Sequence, residues 1–112
     1  MMRLLFTLRR TIDQHRKYEN MDLDSRVKVS VLQLSCECYD RVSILNRGSG
    51  SFYHLDSVAA LVWGLVQKKD LAVHEIIDAV LAEYEVSRSR CENDILLLLE
   101  NLELEGLIET VP

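Results

Sequence analysis

No run of eighteen apolar residues occurs anywhere in the 112-residue chain, and its first residues hold no secretory apolar core. Neither a stably inserted membrane helix nor an export signal is expected. Cysteine is scarce and odd in number, three residues that build no disulfide framework, so a reduced, cytoplasmic setting is the expectation. A single proline and four glycines are too few for a collagen-like or low-complexity chain. Positive charge is scarce too once the first twenty residues are set aside. That segment sets Arg3, Arg9, Arg10, Arg16 and Lys17 against Asp13 and Glu19, a net of +3, which leaves −8 on the other 92 residues. Phosphate contacts need clustered Lys and Arg, so an acidic body argues against nucleic acid as a partner.

What is present is a globular composition, 48% hydrophobic and 28% charged. A chain of this length folds as one domain that removes roughly two-thirds of its unfolded surface from water. Residues 1–25 read as a basic N-terminal extension, helical or flexible. Leu4, Leu5, Leu8 and Ile12 would share one side of a helix, a pattern suited to a membrane surface, to an acidic partner, or to a loosely docked terminus. Met21 offers a second start. Residues 26–112 form the domain proper.

Within the domain the apolar residues first repeat every second position. Val27, Val29 and Val31 alternate with Arg26, Lys28 and Ser30, which predicts one half-buried strand from Arg26 to Leu34. A second extended run, Tyr39 to Leu45, and a third, Ser51 to Leu55, flank Asn46-Arg47-Gly48-Ser49-Gly50, whose Asn and Gly residues tolerate a hairpin turn. The period then changes to helical. Asp56 or Ser57 can cap a first helix carrying Val58, Leu61, Val62, Leu65 and Val66, with Trp63 beside them as a core anchor. A second helix starts near Val73 and packs through Ile76, Ile77, Val80, Leu81 and Tyr84. A third runs from about Ser87 to Glu105 and stops at Gly106, a residue suited to a left-handed helix end. At 100° per residue Cys91, Ile95, Leu98, Leu99 and Leu102 converge on its core face, whereas Leu97 and Leu104 fall on a flank with Asp94 and Asn101. Burying one such leucine is worth about 1.5–3 kcal/mol, so this second strip could hold a peptide.

These segments, in this order, resemble the pyrroloquinoline quinone biosynthesis protein D-like (PqqD-like) domains, also called RiPP recognition elements. The resemblance rests on Gly50-Ser51-Phe52-Tyr53-His54-Leu55-Asp56, Ala59-Ala60-Leu61-Val62-Trp63, Val73-His74-Glu75-Ile76, Asp94-Ile95 with Leu99, and Glu105-Gly106-Leu107-Ile108. The family usually places Asn where Asp56 stands, and often Gly or Asp-Gly after the first helix, where this chain has Lys68-Lys69-Asp70. It implies an α+β, winged helix-turn-helix-like fold, a three-stranded antiparallel sheet followed by three helices. It also implies a non-catalytic module that takes up the leader of a precursor peptide as an added strand, between strand three and helix three, and presents it to a separate maturation enzyme. That enzyme would be a leader peptidase, as in lasso-peptide pathways, or a radical S-adenosylmethionine enzyme. The implied peptide-binding residues are Ser51, Phe52, Tyr53, His54 and Leu55 on the strand and Asp94, Leu97, Leu98 and Asn101 on the helix, with Arg90 or Glu105 at the ends.

Cofactor chemistry and catalysis find little support in the residues. Cys36 and Cys38 are one loose pair without the second ligand group of a structural zinc site. His15, His54 and His74 lie in unrelated segments, with no orienting group for a nucleophile. The expectation is no cofactor, no metal and no enzyme. Two other readings share the helical core: a DNA-binding winged helix-turn-helix regulator, and a structural module that forms a homodimer through its own strand edge.

Overall fold

The computed structural model describes residues 21–38 and 41–111. Residues 1–20 of the extension, Tyr39, Asp40 and Pro112 lie outside the described residues, as do the side chains of Glu37, Cys38 and Asp56. The chain forms β1 (Arg26–Val29), β2 (Gln33–Cys38), β3 (Arg41–Asn46), β4 (Ser51–Asp56), α1 (Ser57–Lys68), β5 (Leu71–Ala72), α2 (Val73–Glu83), α3 (Arg88–Leu104) and β6 (Ile108–Val111). The architecture is α+β, and the expected three-stranded antiparallel sheet is present as β2-β3-β4.

Its first strand is not the predicted one. The alternation over Arg26 to Leu34 spans two strands of two different sheets, because the chain turns at Ser30. This residue is buried; its N–H donates to the Leu107 carbonyl at 2.9 Å, and its Oγ accepts from the Leu32 N–H at 3.1 Å. A serine that bonds the backbone two residues on is a turn former, and here it overrides the valine pattern. Val31, expected to be inward, is 80% exposed. β1 instead forms the centre of a second antiparallel sheet, β5-β1-β6, in which Arg26 lies opposite both Ala72 and Val111.

The hairpin follows the expected register, Asn46 opposite Ser51 and Ile44 opposite Tyr53, with Gly50 at φ 77° in its turn. β4 passes into α1 without a loop: Ser57, the first helical residue, has φ 53° rather than the extended backbone of an N-cap. Helix α2 starts with the Glu75 carboxylate accepting from the Ala72 N–H at 2.9 Å, which holds the Glu75 pKa below the ordinary carboxylate value. Ser87 caps α3 by accepting from the Arg90 N–H at 3.3 Å. At the other end Leu107 N–H bonds the Leu102 carbonyl and Gly106 N–H the Glu103 carbonyl, a Schellman ending with Gly106 at φ 77°.

The three helices and the inner faces of both sheets enclose one core. Trp63, Ile76, Ile77, Ile95, Leu98, Leu99 and Leu102 are fully buried, with Val27 and Ile108 entering from the second sheet and Ile44 and Leu55 from the first. Helix α1 packs on β4, while α3 packs on α2 and β6. Strand β4 and α3 are thus held by different neighbours.

Candidate functional site

A strand at the edge of a sheet carries main-chain donors and acceptors that one neighbour cannot satisfy. Among the described residues β4 pairs only with β3, so its other edge is open along six residues. Alternation decides which side chains can help. Tyr53 and Leu55 point into the core, at 3% and 0% exposure, while Phe52 and His54 stand on the outer face of the sheet. There Phe52 continues a cross-strand row from Leu34 through Leu45, and it is 63% exposed. His54 lies within hydrogen-bond distance of the Ser43 hydroxyl, 3.1 Å from its Nδ1, and its ring is tilted only 15° from that of Phe52. Ser51, half-buried, begins the strand, with its N–H bonded to Ser49 Oγ at 3.2 Å.

Helix α3 meets β4 at its C-terminal end, through Glu105 and Tyr53. Leu97 is half exposed, as its place off the core stripe requires, and Asp94 is half-buried with its carboxylate 3.6 Å from Arg90 Nε. Leu98 and Asn101 are buried, whereas Leu97, Asp94 and, at the ends, Arg90 and Glu105 reach the surface. Carboxylates dominate this helix. Burial, with Glu103 beside it, pushes the Glu100 pKa up, and Arg88 is held by Asp78 at 2.7 Å and Glu92 at 3.7 Å. Cys91 is buried in the first turn, and burial pushes its thiol pKa up, the reverse of what a nucleophile needs.

Two residues join the hairpin to the end of α3, and the sequence marked neither for that part. Asn46, read only as a turn former, donates from Nδ2 to the main-chain oxygen of Glu105 at 2.8 Å. Glu105, the residue that ends α3, accepts on Oε1 from the Tyr53 hydroxyl at 2.6 Å. The signal for Asn46 was there in part, since a buried asparagine must place its amide hydrogens somewhere. Its partner lies 59 positions away, and nothing local points to it. Among the described residues no group of three His, Cys, Asp or Glu side chains could hold a metal ion.

A winged helix-turn-helix-like α+β domain with an unpaired strand edge among the described residues is the class defined by this geometry. Residues 41–108 match the family described as coenzyme PQQ synthesis protein D (PqqD), and the chain belongs to that family. Two solved structures are similar. One is TbiB1 in complex with the TbiA(beta) leader peptide, 32% identical, with a TM-score of 0.71 over 76% of this chain and 98% of that one. The other is a lasso peptide synthetase B1 complexed with its leader peptide, 22% identical, with a TM-score of 0.65 over 77% of this chain and 98% of that one; at that identity it speaks for the fold. No curated protein matches the sequence.

Proposed function

We propose that this protein is a non-catalytic leader-binding module, which captures a precursor peptide by β-strand addition along β4 and presents it to a separate maturation enzyme. The carrying observation is the β4 edge, which pairs with no further strand among the described residues, together with the end of α3 bonded to that strand through Glu105 and Tyr53 and the exposed Leu97 on the same helix. An added strand would satisfy the free main-chain groups, and apolar side chains of the peptide would reach Leu97. Ser51 to Leu55 would contribute main chain, Phe52 and His54 side chains as well. Asp94 would lie at the rim, with Leu98 and Asn101 behind Leu97 as its support. The 32% identical relative, solved with a leader peptide, supports the same reading. A leader peptidase is the partner enzyme favoured by the family resemblance, ahead of a radical S-adenosylmethionine enzyme, and the setting would be cytoplasmic. Among the described residues no helix is long and apolar enough to cross a membrane.

The DNA-binding alternative would use α3 as its recognition helix. Its Glu92, Asp94, Glu100, Glu103 and Glu105 would meet the phosphates, and Arg88 and Arg90 at its start lie against carboxylates. A homodimer through β4 would occupy the very edge the peptide needs. The deciding experiment titrates the full chain with fluorescein-labelled leaders of precursors encoded beside its gene, at low and high salt. Micromolar binding, about −8 kcal/mol, that persists in salt is expected. Salt-sensitive binding to DNA with no response to any leader would overturn the proposal in favour of the regulator.

A further inference from the structure

The β3-β4 hairpin and α3 belong to different packing units, yet one buried side chain ties them. Asn46 is 7% exposed and ends β3. Its Oδ1 accepts from the Gly48 N–H at 2.8 Å and the Ser49 N–H at 3.3 Å, and its Nδ2 donates to the Glu105 main-chain oxygen. Two donors on one side of the amide and an acceptor on the other leave a single orientation that satisfies both. One short side chain therefore fixes the hairpin turn and the end of α3 at once. Tyr53, the third residue of β4, adds the second strut through its hydroxyl on Glu105. The fit is close: a Cβ on Gly106 would stand 3.1 Å from Asn46 Nδ2, so Asn46 would have to give by a few tenths of an ångström to admit a side chain there.

Strand addition is sensitive to such a joint. An added strand lies about 4.8 Å from its neighbour, and its hydrogen bonds tolerate only a few tenths of an ångström. The helix wall must stand at a matching distance or its apolar contacts are lost. Neither Asn46 nor the Tyr53 ring is exposed enough to grip a peptide itself. We infer that Asn46, with Tyr53 and Glu105, sets the spacing between β4 and α3 and thereby the affinity for an added strand, as a positioning residue that does not touch the peptide. The inference rests on the leader-binding reading.

Its test uses two conservative variants. Asn46→Asp keeps the oxygen that holds the turn and puts a carboxylate oxygen against the Glu105 carbonyl; Tyr53→Phe removes one hydroxyl and keeps the ring. Both, their double variant and a control destabilised away from the cleft, Leu71→Ala in β5, are titrated with the leader that binds the unaltered protein, well below every melting temperature. Each cleft variant should weaken binding at least tenfold with unchanged circular dichroism, and the double variant should lose less than the product because both changes loosen one joint. The control should bind as the unaltered protein does. Binding within twofold in both folded cleft variants, or an equal loss in Leu71→Ala, would overturn the positioning role while leaving leader capture intact. Should Asn46→Asp not fold, Tyr53→Phe decides alone. An unaltered protein that binds no leader removes the reading and the inference together.

Discussion

Leu97 and Leu98 are neighbours in sequence with opposite duties, and the 100° between them is the reason. Leu98 is 2% exposed and Leu97 is 50% exposed. Leu98→Ala should cost about 2–5 kcal/mol of stability, seen as a lower denaturant midpoint, since it leaves a cavity in a close-packed core. Leu97→Glu should leave melting nearly unchanged and abolish leader binding; a lost fold would instead assign Leu97 to the core. Gly106 shows a different constraint, its φ of 77° being ground that side chains rarely occupy. Gly106→Ala should lower stability by about 1–2 kcal/mol, from backbone strain alone and before any crowding of Asn46 is counted. Such residue-level duties were legible wherever helical periodicity or a glycine after a helix gave them away. Asn46 and Glu105 were not, because their partners come from the opposite end of the domain.

Elements differ in how their ends are held, and α2 shows an end that titrates. The Glu75 carboxylate is the group that accepts from the Ala72 N–H, and that bond lowers its pKa below the ordinary value. A folded-state pKa below the unfolded one means a contribution present above the unfolded pKa and lost as pH falls through the folded one. Glu75→Ala should therefore melt below the unaltered protein at neutral pH, and the gap should close as pH drops through the carboxylate range. A gap that held constant with pH would show that the cap does not depend on charge. All three helices were legible in the sequence to within a residue or two, since each buries a continuous apolar stripe. Strands were less so. The valine alternation ran past a turn that only the buried Ser30 explains, and Leu71–Ala72 is too short to carry a pattern at all.

At the scale of the whole molecule the two sheets have separate tasks. β5-β1-β6 ties the ends of the domain together, and β2-β3-β4 carries the β4 edge that pairs with no further strand among the described residues. Leu107 and Ile108 are almost wholly buried, and β6 supplies a ladder to Arg26–Val29. Ending the chain at Gly106 should therefore remove roughly 5 kcal/mol or more, against a usual net stability of about 5–15, and abolish cooperative melting. A truncated chain that still melted sharply would show that β6 is dispensable. The sequence by itself determined the α+β order, the helices with their core stripes, the hairpin and the second apolar strip on α3. All of these follow from local periodicity, turn chemistry and the geometry of one element. Tertiary structure alone decided that residues 26–34 serve two sheets, which strand faces stay exposed, and that Asn46 and Tyr53 tie the β3-β4 hairpin to the end of α3. Those outcomes depend on hydrogen bonds between residues far apart in the chain, which form only when the core brings the elements together.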